Sequence, residues 1–151
     1  MRAYQGLSRD ERQAFDRAAH WFEYASAAEN DSFSVALLMY VMAIEALVPK
    51  PETAPRCSEC KAELWGITKR FKAFIEETIP EAASDPYVQR LYAARSSLAH
   101  GTAIFKTDFD ADPWSREAAE GLFQFLPSGW AAQLALVNWL KNRSSLAAAS
   151  H

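Results

Sequence analysis

The sequence predicts an all-α protein, a compact bundle of about five to six helices with no sheet. Glycine is scarce at five residues, while half the chain is hydrophobic and 13% is aromatic, a composition that suits a packed core rather than a disordered segment. Strand-like alternation is absent, and apolar residues recur at helical spacing instead. Residues that start and stop helices punctuate the chain, notably Ser8, Asp85-Pro86 and Gly101. At 151 residues the simplest organisation is one domain over 1–151, large enough to bury a core without disulfide or metal staples.

Ser8-Arg9-Asp10-Glu11 has the Ser-x-x-Glu form of a capping box, so a first helix is expected to run to about Glu29. Its apolar stripe is Phe15, Ala18, Phe22 and Ala25. Asn30-Asp31-Ser32 then favours a turn, and a second helix follows from about Phe33 to Val48, ended by Pro49 and Pro51. This helix is apolar nearly all round, as a helix enclosed by its neighbours should be. Glu45 is its exception. A buried carboxylate needs a cationic or hydrogen-bonding partner, and Arg95 is the first candidate.

A third helix is expected from about Ser58 to Thr78, with Leu64, Ile67, Phe71, Phe74 and Ile75 as its apolar stripe. Lys61, Lys69, Arg70 and Lys72 on its outer side make the densest basic cluster of the chain. Glu63, Glu76 and Glu77 dilute it, so a solvated helix face stands beside an RNA-backbone contact as a reading. Asp85 as N-cap, Pro86 at the first position and Gly101 as C-terminal cap bound a fourth helix, Pro86 to His100. Tyr87, Leu91, Ala94 and Leu98 would face the core, with Arg95 at its margin and His100 toward solvent. Asp108, Asp110 and Asp112 resemble part of a calcium loop but lack its Gly and terminal Glu. Trp114 to Phe125 reads as a further helix, broken at Pro127-Ser128-Gly129. A last helix is expected from about Trp130 to Asn142, with 144–151 as a frayed tail.

A net charge of −3 argues against a chain-wide grip on nucleic acid, so any such contact must come from a local basic patch. The longest uncharged apolar run, Ser32 to Ile44, is too short to span a bilayer, and the first residues show no apolar signal-peptide core. A cytoplasmic protein without a membrane partner is therefore expected. Cys57 and Cys60 form one Cys-x-x-Cys, but zinc needs four ligands and no second pair lies nearby. Two free thiols are the plain reading. Zinc shared between subunits, or completed by His20 or His151, and redox chemistry are the alternatives. No cofactor is called for.

Arg95 and His100 form Arg-x4-His directly before Gly101. Spacing alone also fits a plain structural role, with Arg95 paired to Glu45 and His100 capping its helix. In context the match is more specific. The apolar helix ending Ala43-Ile44-Glu45-Ala46-Leu47, a middle helix, and then Leu91 to Gly101 resemble the HEPN superfamily, in particular its Apea-like branch. The resemblance covers roughly 33–104.

It implies a helical bundle that dimerises to bring the Arg and His of both copies into one cleft. Many members are metal-independent ribonucleases of toxin–antitoxin, phage-defence or RNA-processing systems; others are inactive binding modules. On this resemblance His100 and Arg95 would be catalytic, Ser96 would stand where active members often carry Asn, Asp or His, and Glu45 would support Arg95. Lys69, Arg70 and Lys72 would touch RNA. The implied partners are a second copy and either an RNA substrate or a protein such as an antitoxin.

Overall fold

A computed structural model describes residues 2–50, 58–59, 66–109 and 115–149. Among these residues the chain forms seven α-helices and one short 3-10 turn, with no strand. The helices are α1 (Arg2–Gln5), α2 (Arg9–Ala28), α3 (Phe33–Leu47), α4 (Ile67–Thr78), α5 (Pro80–Ala83), α6 (Pro86–Ala99) and α7 (Arg116–Ala149); the 3-10 turn is Lys106–Asp108. Cys57, Cys60, Lys61, Leu64, Asp110, Asp112 and Trp114 lie outside the described residues.

The expected capping box opens α2. Ser8 Oγ accepts from the Glu11 amide at 3.3 Å, and the Glu11 carboxylate accepts from the Ser8 amide at 2.9 Å. These bonds, with Arg143 nearby, hold the Glu11 carboxyl below its usual range. Helix α3 is the pillar. Ala36, Leu37, Tyr40, Val41, Ala43, Ile44 and Leu47 are all buried along it, and it packs on α2, α7 and α6. Val48, extended at ψ 123°, ends it one residue before Pro49, whose ring disfavours helical geometry in its predecessor.

The N-terminus of α3 is held by a residue 75 positions away. One Asp108 oxygen accepts from the Phe33 amide at 2.8 Å; the other accepts from the Ser34 amide at 3.0 Å and the Ser32 hydroxyl at 2.8 Å. Ser32 Oγ in turn caps the Val35 amide. Helix N-termini leave donors unsatisfied and carry partial positive charge, which a carboxylate answers on both counts. Ser34 Oγ accepts from the buried Phe105 amide at 2.8 Å, so the segment after α6 is tied to the pillar twice. Asp108 is thus a helix cap.

Three expectations need correction. Gly66 precedes the first residue of α4, so that helix starts at Ile67 and not at Ser58, which lies in a turn. Val88 and Leu91 are the buried residues of α6, with Val88 taking the place expected for Tyr87; Tyr92, Ala94 and Leu98 pack at the core margin. The break at Pro127 is absent: α7 continues through it and on into the stretch read as a tail. Ser128 Oγ donates to the Phe125 carbonyl within the turn that Pro127 disturbs. Gly129 lets the helix approach α3, since a Cβ there would lie 3.2 Å from Tyr40 Cζ. Burial of Phe125, Ala131, Ala132, Ala135 and Trp139 secures both halves of α7 against the core and outweighs a proline cost of about 3 kcal/mol.

Tyr40 supplies the one polar group at the middle of α3. Its hydroxyl donates to the Glu29 carboxylate and lies 3.1 Å from Ser26 Oγ. Burial, then the Glu29 carboxylate, pushes it up to about 12.

Asp108→Ala removes the acceptor for three donors at once. The two backbone caps among them are worth about 1 kcal/mol each, so urea unfolding should show a loss of about 2 kcal/mol, with Asp108→Asn retaining part of it. Gly129→Ala tests the close approach of α7. Helix propensity alone favours it by about 1 kcal/mol, so a net destabilisation in the same assay marks overpacking against Tyr40.

Candidate functional site

The Arg95 to Gly101 segment closes α6. Asp85 caps its start, accepting from the Tyr87 amide at 2.7 Å and the Val88 amide at 3.2 Å, with Pro86 at the first position. At the other end Gly101 adopts φ +67°, the left-handed region that glycine enters without strain. The Gly101 amide donates to Leu98 and the Thr102 amide to Ser97, both at 3.0 Å. This pair of bonds is the Schellman closure. His100 is the C-cap between helix and turn, with its amide on the Ser96 carbonyl and its side chain exposed.

Arg95 stands 3.1 Å from Glu45 across α6 and α3, Nη2 donating to Oε2. The sequence expectation of this pairing holds. The side chains are 27% and 17% exposed, so the bridge is half-buried. The Arg95 guanidinium also lies 5.9 Å from the centre of the Tyr92 ring, and its Nε is buried with no hydrogen-bond partner among the described residues. Glu45 is shifted upward: burial raises it, and the attraction and hydrogen bond of Arg95 offset that only in part. Desolvation therefore outweighs pairing, a common outcome for charges withdrawn from water.

Phe71 meets Tyr92, ring centres 5.3 Å apart, and Lys72 and Ile75 border a groove with Val88 and Gln89. Helix α4 therefore runs antiparallel to α6. With Phe71 beside Tyr92, Lys72 falls at about the level of Leu91 of α6, roughly 13 Å along the helix from His100 at 1.5 Å per residue. Exposed Lys69 and half-buried Arg70 lie within one turn before Lys72, nearer the level of Arg95. Lys69 and Lys72, three residues apart, share one exposed face of α4, while Arg70 Nε is buried without a hydrogen-bond partner among the described residues.

On the other side of His100, a groove of about 650 Å³ separates the start of α3 from the segment after α6. Ser34, Val35, Leu38, Leu98, Gly101 and Ile104 line it. Sequence reasoning missed this groove because its walls lie more than sixty residues apart and carry no motif. Its wall hydroxyls are engaged internally, Ser34 with Phe105 and Thr102 Oγ1 with the Ser97 carbonyl at 3.1 Å. The surface it offers is largely apolar.

With that geometry in place, the chain can be set beside known proteins. It matches no protein-family model, no curated protein and no solved structure. Among the described residues no three His, Cys, Asp or Glu side chains gather as a metal site, and no helix is long and apolar enough to cross a membrane. The Cys57 and Cys60 thiols fall outside the described residues.

Glu45→Ala leaves Arg95 without its acceptor. Removing one member of a fully buried pair costs about 3–5 kcal/mol; half-burial lowers the expected loss to about 1–3 kcal/mol. Glu45→Gln keeps an acceptor and should lose less. Because the folded-state pKa of Glu45 lies above 4.5, its contribution is fully present below 4.5 and lost as pH rises through the raised value. Wild type should therefore gain stability relative to Glu45→Gln as pH falls through that window, as read by urea unfolding at several pH values.

Proposed function

We propose that this chain is a metal-independent endoribonuclease of HEPN type with a composite site completed by a second copy, of the kind found in toxin–antitoxin or phage-defence systems. The observation that carries the reading is the division of the Arg-x4-His segment. His100 is exposed at a rigidly closed helix end, and Arg95 is held by Glu45 a turn and a half earlier. An imidazole free to reach a substrate and a guanidinium fixed in direction are what phosphodiester cleavage uses.

In this reaction the neighbouring 2′-OH attacks phosphorus. One His100 takes the 2′-OH proton as general base, and the His100 of the other copy gives a proton to the departing 5′-oxygen. A 2′,3′-cyclic phosphate and a 5′-OH result. Arg95 stabilises charge on the non-bridging oxygens, and the Ser96 hydroxyl donates a further hydrogen bond. Lys69, Arg70 and Lys72, on the neighbouring helix α4, guide the backbone of the RNA. A single chain supplies one His and one Arg, so the two-fold arrangement completes the acid and base pair.

A second reading is favoured by the Glu45–Arg95 bridge itself. An arginine already engaged by a carboxylate suits a catalytically silent module that binds a protein partner, such as an antitoxin, or a nucleotide. Purified protein incubated with RNA in EDTA separates the two. Ribonuclease action gives cyclic-phosphate ends and falls at least about 100-fold in His100→Ala. Cleavage that persists in His100→Ala removes this assignment, and a folded wild type that leaves RNA intact supports the silent module.

A further inference from the structure

Helix α7 carries apolar residues on two opposite sides. Its core side is Phe125, Ser128, Ala131, Ala132, Ala135 and Trp139, all buried. Its outer side nevertheless carries Phe123, Leu126, Trp130 and Val137, exposed by 55%, 58%, 44% and 42%. None of these four serves the core. They recur at intervals of three, four and seven residues, the spacing of a seam between two helices crossing at a shallow angle of about 20°.

We propose that this face is a homotypic interface, on which α7 of a second copy packs antiparallel across a two-fold axis at Trp130. In that register Phe123 of each copy faces Val137 of the other, and the two Trp130 rings meet at the centre. Charge selects the same arrangement. Glu120, exposed and paired to Arg116 of its own helix at 3.1 Å, lies ten residues before Trp130, and exposed Lys141 lies eleven after it. At 1.5 Å per residue these are about 15 and 16.5 Å from the axis, so each Glu120 comes opposite the other copy's Lys141. A parallel pairing would set like charges together.

The area agrees with a second copy as occupant. Aromatic side chains present about 150–250 Å² each, so the exposed parts of the four residues offer roughly 300–400 Å². Covered on both copies and framed by a polar rim, such a stripe makes the centre of a contact of about 1,200 Å², the lower bound for specific association. This inference rests on α7 alone and not on the ribonuclease reading. A composite cleft at His100 would be a second two-fold contact, and two distinct two-fold contacts build a tetramer or an open string.

The test is the mass of the full chain in solution, by sedimentation over a concentration series. Wild type should be a dimer, or larger where the cleft also pairs. Trp130→Lys, confirmed folded by circular dichroism, should weaken assembly roughly 30-fold or more and remove one doubling of mass. Glu120→Lys and Lys141→Glu should each weaken it roughly tenfold. Mixing those two variants should restore it, because both cross-copy pairs in the mixed dimer are then of opposite charge. A monomeric wild type overturns the proposal and leaves the face to another partner. An unchanged mass in Trp130→Lys, or a mixture that fails to recover, also overturns it. These readouts concern assembly and not cleavage, so failure here and failure of the ribonuclease reading are distinguishable.

Discussion

The burial of α3 is the constraint from which the architecture follows. A helix with apolar side chains on nearly every face has no side to give to water, so it must be wrapped. Helices α2, α6 and α7 do the wrapping. Its few polar groups then need partners from those neighbours. Asp108 meets the N-terminal amides, Glu29 and Ser26 meet the Tyr40 hydroxyl, and Arg95 meets Glu45 near the C-terminal end. Each polar contact fixes one surrounding segment in register, so core enclosure and site geometry are parts of one arrangement.

This explains why the site segment serves two ends at once. Arg95 belongs partly to the core: Glu45 and Tyr92 set its direction, and desolvation raises the Glu45 carboxyl despite the ion pair. His100, five residues on, lies past the last buried turn, and its position depends on the Gly101 closure rather than on packing. The two residues therefore answer different physical demands. A phosphate approaching Arg95 would compete with Glu45 for the guanidinium, which links the chemistry of the site to the stability of the pillar.

Much of this was legible in local sequence. Ser8 and Glu11, Asp85-Pro86 and Gly101 act within a few residues of themselves, so their signals survive without tertiary knowledge. Glu45 and Arg95 were legible for another reason: a carboxylate in an apolar helix demands a cation, and few were placed to supply one. Asp108 was not legible as a cap because its partners are 74 to 76 residues away. Pro127-Ser128-Gly129 misled because local propensity favours a break, whereas Gly129 against Tyr40 and burial on both sides favour a continuous α7. The level of Lys69, Arg70 and Lys72 relative to the site segment was also hidden, since it depends on the antiparallel placement of α4 against α6.

The central functional claim is that a fixed Arg95 and a free His100 together hold a scissile phosphodiester. The most direct measurement is an NMR titration of the labelled protein with an RNA methylated at every 2′-oxygen, which blocks attack and leaves the phosphate intact. We expect the His100 ring and Arg95 Nε resonances to shift together and saturate at one affinity. Binding that moves neither, or that moves only the surface lysines of α4, would contradict it.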